Sequence, residues 1–188
     1  MSPEQARRLS ERFAECQVEW RILGDAGARD AFLAEALGPA ADLASPPPAH
    51  LAGDGRGFTL GEALIVETGS LVLSGSNPSA RRVAFLAETH FALVAEEATH
   101  ETLGEFLATS LPAGAGGLRD RWGHQLTLIT GPSRTADIEK VLVLGAHGPR
   151  RLVLGTIPAT LLSARFGPSM PAGERAPFGP SASTEQHD

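Results

Sequence analysis

Short apolar runs that alternate with helix-like segments constrain the fold of this chain more than any other feature of its sequence. Runs of this length are typical of strands buried on both faces of a sheet. We identify them at Leu64–Val66, Leu71–Leu73, Phe91–Val94, Leu126–Ile129 and Leu152–Leu154. Because helix signals separate most of them, the pattern predicts an α/β fold, in which helices cover both faces of an open, mostly parallel sheet.

An amphipathic helix is predicted at the N-terminus. Ser2–Gln5 has the pattern of a capping box, with proline at the first helical position. Apolar residues then recur at steps of three and four, which predicts one helix reaching about Leu23. They are Leu9, Phe13, Cys16, Trp20 and Leu23. The stripe packs either on its own domain, which would bury Phe13 and Trp20, or against a partner.

Further helices and the breaks between segments suggest how the chain is organised. Helices are predicted at Arg29–Leu37, at about Ala80–Ala87, at about Thr99–Ala108, and, capped by Ser133 or Thr135, up to about Leu144. Prolines and glycines then mark the boundaries. We divide the chain into an N-terminal helical segment (1–38), a Pro/Gly-rich linker (39–57), an α/β domain (58–166) and a flexible tail (167–188).

Charge and composition exclude several classes of function. The 188-residue chain has 16 basic and 22 acidic residues, a net charge of −6, and no basic stripe, so we expect no nucleic-acid partner. No apolar run approaches the ~18 residues of a membrane span, and the N-terminus lacks the apolar core of a signal peptide. We therefore expect a cytoplasmic protein without a membrane span.

Cysteine and histidine usage bears on metals. Cys16 is the single cysteine, so the chain has no internal disulfide and cannot supply the four thiolates that an iron–sulfur cluster usually takes. No two of the 6 histidines form the i, i+4 pair of a helical zinc site. We predict no metal site and no bound cofactor. A metal held by His90, His124 or His147 would contradict this prediction.

The segment from Thr130 to Pro149 carries the clearest binding chemistry. If the loop after Gly131 opens a helix capped by Ser133 or Thr135, the helix's unpaired N–H groups and positive dipole end form a place where anions bind. Arg134 would add a planar fork of donors suited to a carboxylate or phosphate. The alternative is that Ser133, Thr135 and Asp137 only cap the helix.

Two other loops carry candidate chemistry. Glu67 to Ser70 lies between two apolar runs, where Gly69 allows close approach and Thr68 and Ser70 offer hydroxyls. In an apolar setting the pKa of Glu67 would rise and the group could act as an acid or base, whereas the alternative is a polar hairpin turn with Glu67 in solvent. In the second loop, His147 stands beside Gly148, as a catalytic histidine or one that fixes a turn.

Motifs in these loops resemble a known family. The strings are Thr-Gly-Pro-Ser-Arg-Thr-Ala-Asp-Ile-Glu at Thr130–Glu139 and Gly-Ala-His-Gly-Pro at Gly145–Pro149. Glu-Thr-Gly-Ser at 67–70 and Thr-His at 89–90 precede them in the expected order. Together they resemble the LUD domain, the lactate utilization protein C family, over about residues 58–157.

The resemblance implies a fold and a role. It implies an open α/β sheet like those of ribose-phosphate isomerase and the CoA transferases. It also implies a part in bacterial oxidation of L-lactate to pyruvate, beside partner subunits that carry iron–sulfur chemistry. No catalytic residue carries over, so the candidates stay Glu67 and His147. Candidate ligand-binding residues are Thr68, Gly69, Ser70, Gly131, Ser133, Arg134, Thr135, Asp137 and Gly148.

Three functions follow from these observations. The first is an accessory subunit of a lactate-oxidising system, with a small-anion site but no redox centre. The second is a stand-alone transferase- or isomerase-like enzyme for a phosphorylated, CoA-linked or carboxylate molecule, with Glu67 as base. The third is a purely structural partner. For the first two we expect Ser70, Arg134 and His147 to line one cleft beyond the carboxyl ends of the strands.

Overall fold

The fold is taken from a computed structural model, which describes residues 1–39, 41–75, 77–110, 125–136, 142–144 and 148–167. The helices are α1 (Pro3–Cys16), α2 (Ala26–Leu37), α3 (Pro78–Leu86), α4 (Leu103–Ser110) and α5 (Ala159–Phe166). The first strands are β1 (Glu19–Ile22), β2 (Ala49–Leu51), β3 (Arg56–Leu60), β4 (Ala63–Ile65), β5 (Ser70–Ser74) and β6 (Thr89–Ala95). The others are β7 (Thr99–His100), β8 (Leu126–Ile129), β9 (Arg134–Ala136), β10 (Leu142–Leu144) and β11 (Arg151–Ile157). A 3₁₀ turn at Glu96–Ala98 joins β6 to β7.

Two larger sheets form the scaffold. The first sheet has the order β1-β11-β6-β3-β2, in which all neighbours are parallel except the edge pair β2 and β3. The second sheet has the order β7-β4-β5-β8 and is mostly antiparallel. The prediction of an α/β fold with a mostly parallel sheet is confirmed. Three of the predicted strands, at β4, β5 and β8, belong to the second sheet instead.

Buried side chains divide into three layers. One core lies between the two sheets and is closed by Leu9 and Phe13 of α1. A second core fills the other face of the first sheet, beneath α2 and α5. A third, smaller core packs Phe106 of α4 on the outer face of the second sheet. Both faces of the first sheet are therefore covered, which explains why its central strands are continuously apolar.

The N-terminal helix is shorter than its apolar stripe predicts. The Ser2 capping box forms as expected, but α1 ends at Cys16, and Gln17 adopts a left-handed conformation with φ of 58°. Trp20 then lies on β1, which pairs with β11. The prediction of a helix reaching Leu23 is wrong, since residues 19–22 form a strand. This strand turns the Trp20 side chain toward the core, as a helix would also have done. Phe13 is buried as expected, whereas Trp20 is half-buried.

Residues after Gly131 also depart from the prediction. A helix was expected up to about Leu144, but Arg134–Ala136 and Leu142–Leu144 are strands that pair antiparallel. Backbone hydrogen bonds of this segment are therefore satisfied across a two-stranded ladder, and no helix begins at Arg134. Asp137 lies outside the described residues.

Other expectations on elements hold or shift modestly. Helices α2 and α3 form close to their predicted positions, while α4 begins at Leu103 because Thr99 and His100 form β7. Residues 39–57, treated above as a linker, contain β2 and the start of β3. In the described part of the chain, no helix has the length and apolarity needed to cross a membrane.

Candidate functional site

A chain of three hydroxyl groups joins two of the predicted loops. The Ser70 hydroxyl lies 2.7 Å from the Thr68 hydroxyl and 2.7 Å from the Thr130 hydroxyl. Ser70 is 2% exposed, while Thr68 and Thr130 are exposed. Pairing of β5 with β8 places Leu71 opposite Ile129. Because the two strands are antiparallel, Ser70 before Leu71 and Thr130 after Ile129 also lie next to each other. Sequence reasoning missed Thr130, although its place after an apolar strand could have indicated it.

Glu67 stands in the turn between β4 and β5. The four residues 66–69 connect the two antiparallel strands, with Ile65 opposite Ser70. Glu67 is exposed, while its amide donates to the Glu101 carbonyl. The placement of Glu67 is that of a residue in a polar hairpin turn with its side chain in solvent, one of the two alternatives the sequence left open.

Arg134 is engaged by the end of α1. Its Nη2 donates to the Cys16 carbonyl over 2.9 Å. A carbonyl at the C-terminus of a helix lacks an intrahelical donor and carries partial negative charge, so a guanidinium stabilises it. No carboxylate among the described residues forms an ion pair with Arg134, which is exposed. Sequence reasoning did not foresee this contact, because the two residues are far apart in the chain.

Two glycines of the motifs also face α1. Gly131 has φ of 115°, and a Cβ added there would lie 2.6 Å from the Cys16 carbonyl oxygen. Gly69 has φ of 64°, and a Cβ there would lie 2.9 Å from the Arg12 Cβ. Both positions thus need glycine for conformation and for close approach. The motif loops therefore seat the C-terminal half of α1.

The loop before β11 meets the same region. The Ser133 amide donates to the Pro149 carbonyl over 2.7 Å. Gly148 has φ of 136°, and a Cβ there would lie 3.2 Å from the Ser133 Cβ and 3.7 Å from the Ala84 carbonyl oxygen of α3. The loops at 131–134 and 148–149 are therefore in direct contact. His147, Asp137 and the side chain of Thr135 lie outside the described part.

These contacts fix where the predicted residues meet. The loops at 67–70, 130–134 and 148–149 come together, so Ser70 and Arg134 do not lie at opposite ends of a sheet. The meeting point lies at the amino end of β11, rather than at the carboxyl ends of the parallel strands as expected. Strand β9 also removes the helix N-terminus that was predicted to bind an anion. Arg134 and the hydroxyls remain as donors.

His90 is a buried polar residue of the core. Its side chain is 0% exposed, and Nε2 lies 2.8 Å from the Thr59 hydroxyl, while Nδ1 has no hydrogen-bond partner among the described residues. Burial lowers the pKa of His90 to about 4, because a charged imidazolium would lose its hydration. His90 is thus a neutral histidine of the core. Within the described ranges no three His, Cys, Asp or Glu side chains assemble into a group able to hold a metal.

The packing of Gly131 against α1 leads to a prediction. The variant Gly131→Ala should lower the free energy of unfolding by about 1–3 kcal/mol, because alanine is strained at this φ and meets the Cys16 carbonyl. Gly53→Ala is the matched control, since nothing lies within 4 Å of a Cβ there. Urea unfolding of both variants measures the difference. Equal stability of the two would contradict the docking of α1 on this loop.

Comparison with known proteins agrees with this architecture. A sequence model described as the LUD domain matches residues 56–154. Lactate utilization protein C of Geobacillus sp. is 32% identical over 101 residues, covering 50% of this chain and 39% of that protein. Lactate utilization protein C of Deinococcus radiodurans is 37% identical over 89 residues, covering 47% and 39%. The matched region thus spans about two fifths of these relatives' length.

A solved structure supports the fold. A DUF162 family protein from Deinococcus radiodurans superimposes with a TM-score of 0.55 and 19% sequence identity, covering 84% of this chain and 99% of that chain. The matched residues include the loops at 67–70, 131–134 and 148–149. The residues that seat α1 therefore lie within the matched range. This chain belongs to the LUD domain family.

Proposed function

We propose that this protein serves in lactate utilization as an accessory subunit that binds a small anion and has no redox centre of its own. The observation that supports this most directly is the match of residues 56–154 to the LUD domain, together with the relatives named lactate utilization protein C. The proposed setting is cytoplasmic oxidation of lactate to pyruvate. The electrons would pass to partner subunits that carry iron–sulfur chemistry.

Cysteine content supports the division of labour. The sequence has one cysteine, Cys16, whereas an iron–sulfur cluster usually takes four thiolates. Oxidation of a hydroxy acid to a keto acid releases two electrons, which need an acceptor. A chain that cannot ligate such a cluster by itself is suited to an accessory role beside subunits that can.

The hydroxyl chain supports the anion site. Three hydroxyl groups hold three protons, and the two hydrogen bonds among Thr68, Ser70 and Thr130 use two of them. When both bonds run in the same direction along the chain, the remaining proton lies on Thr68 or Thr130, the exposed ends, and can be donated outward. Arg134 adds guanidinium donors beyond the Nη2 that meets Cys16. These groups would recognise a carboxylate or a phosphate.

A ligand screen by thermal unfolding tests the anion site. L-lactate, pyruvate, CoA, nucleotides and sugar phosphates are compared at equal concentration. A ligand at ~100 times its dissociation constant should stabilise the protein by about 2.7 kcal/mol, which raises Tm by roughly 5–10 °C for a chain of this size. Stabilisation by none of these anions would contradict the proposed site.

Variants assign the ligand to these residues. Ser70→Ala breaks the hydroxyl chain, and Arg134→Lys keeps the charge while losing the fork of donors. Each should reduce the ligand-induced rise in Tm by at least half, whereas Arg7→Lys on the exposed face of α1 should leave the rise unchanged. An unchanged rise in both site variants would place the ligand elsewhere.

Assays of the isolated chain separate the subunit from the stand-alone enzyme. We expect no lactate oxidation by the purified chain with a dye as electron acceptor. We also expect activity to depend on this chain when the iron–sulfur subunits are added. Turnover of any of the screened molecules by the isolated chain would favour the transferase- or isomerase-like alternative.

A further inference from the structure

Most described arginines are neutralised by carboxylates. Ion pairs hold Arg7, Arg8, Arg12, Arg21, Arg29, Arg56, Arg151 and Arg165. The remaining arginines of the described ranges are Arg81, Arg82, Arg134 and Arg150, and none has a described carboxylate within ion-pairing distance. All four are exposed.

These four residues surround one part of the molecule. Arg81 and Arg82 lie on α3. The Arg150 amide donates to the carbonyl of Glu88, just beyond the end of α3. Arg134 follows Ser133, which contacts the loop at 148–149, and that loop in turn approaches the Ala84 carbonyl. Three arginines without a carboxylate partner among the described residues are thus gathered around α3, while the Arg134 guanidinium reaches the end of α1.

Exposed apolar side chains lie among them. Phe85 is 48% exposed and Leu86 is 60% exposed, one helical turn after Arg81 and Arg82 respectively. Residues four apart lie on the same side of a helix, so each arginine is followed by an apolar neighbour. Arginine and aromatic residues are enriched at protein–protein interfaces. Glu88 is the acidic residue beside this surface, and its side chain is exposed.

We propose that α3 presents a docking face for an acidic surface of a partner protein, which we call the arginine face: Arg81, Arg82, Phe85, Leu86 and Arg150. The partner's carboxylates would pair with the three guanidinium groups, and its apolar side chains would cover Phe85 and Leu86. Charge complementarity favours an acidic partner over a second copy, since the arginine face of each copy would repel the other. The identification of the partner with an iron–sulfur subunit rests on the proposed function.

The apolar pair and the small extent of the basic patch favour a protein over a nucleic acid. A nucleic-acid partner calls for a broader basic stripe than the arginine face provides. A protein surface needs only a local patch of opposite charge with an apolar centre. High salt should therefore weaken the binding of a protein partner, because salt screens the attraction between the arginines and the partner's carboxylates. The contacts of Phe85 and Leu86 should keep part of the affinity.

A charge-reversal experiment tests the arginine face. The double variant Arg81→Glu/Arg82→Glu is compared with Arg7→Glu/Arg12→Glu, which makes the same charge change on exposed, ion-paired arginines of α1. The probe is fluorescently labelled poly-L-glutamate, whose binding is followed by anisotropy at low and high salt. We expect the α3 variant to bind about 10-fold more weakly or worse, and the α1 variant to bind within 2-fold of the unaltered protein. Circular dichroism melts confirm that both variants fold.

A second arm uses the iron–sulfur subunits as the probe, with the same variants and the same salt series. If the α3 variant loses poly-L-glutamate binding, the arginine face is supported. If the unaltered protein nevertheless does not bind the iron–sulfur subunits, the proposed partner is overturned. Equal binding of poly-L-glutamate by all three proteins, or by none, overturns the arginine face. The unaltered protein is also tested with a single-stranded oligonucleotide. If it binds the oligonucleotide more tightly than poly-L-glutamate, and the α3 variant loses that binding, the assignment to a protein partner is overturned.

Discussion

Replacing Phe13 with alanine is expected to lower the free energy of unfolding by about 3–5 kcal/mol. Phe13 is 1% exposed and lies in the core between the two sheets. Its ring meets Trp20 edge to face, with centroids 5.5 Å apart. Because rigid strands and α1 surround it, the neighbours can collapse only partly into the space that alanine leaves. Urea unfolding followed by tryptophan fluorescence measures the loss.

Phe85→Ala is the matched control for this prediction. The same substitution is made at a ring that is 48% exposed on α3. The expected change is within about 0.5 kcal/mol, since surface substitutions rarely exceed this. A loss at Phe13 no larger than that at Phe85 would show that α1 does not close the core.

Acidification is expected to destabilise the protein through His90. In the folded chain burial lowers the pKa of His90 from 6.5 to about 4. Because the folded pKa lies below the unfolded one, protonation favours the unfolded chain, so this stability is present above about pH 6.5 and is lost as the pH falls toward 4. At about pH 4.5 the loss from this one residue should be about 2–3 kcal/mol relative to pH 7.

The variant His90→Gln isolates that contribution. The pKa values of carboxylates such as Glu19 and Glu35 are lowered by hydrogen bonds from Arg151 and Arg21. Their protonation at low pH therefore also lowers the free energy of unfolding. Their effect is common to both proteins and cancels in the comparison. Between about pH 7 and 4.5 the unfolding free energy of the variant should fall less steeply than that of the unaltered protein. Parallel curves would mean that His90 is not a neutral core residue.

The arrangement of α1 bears on how the site works. Leu9 and Phe13 hold this helix in the main core, while Gly69, Gly131 and Arg134 hold its C-terminal half. A helix held at these points would form one wall of the proposed site. An anion bound by the hydroxyl chain would lie beside that wall, and part of Arg134 would stay committed to it. The same loops would then serve both packing and the proposed binding.

Local sequence was enough to identify many of the elements. Strands buried on both faces must be continuously apolar, so β4, β5, β6 and β11 could be recognised from their residues alone. The Ser2 capping box and the glycine after α2 acted as expected, because caps satisfy backbone groups within a few residues of themselves. The motif strings likewise identified the family, since they are contiguous in sequence.

Tertiary structure decided the rest, because long-range pairing overrides local periodicity. Trp20 fits a helical stripe, yet the hydrogen bonds offered by β11 make its segment a strand. Arg134 fits a helix start, yet pairing with β10 makes its segment a strand and the Cys16 carbonyl becomes a partner of its guanidinium. The convergence of Ser70 with Thr130, and the placement of Arg150 beside the end of α3, depend on contacts between residues distant in sequence. A chain's local pattern shows which residues can form such contacts, while packing of the whole fold decides which of them meet.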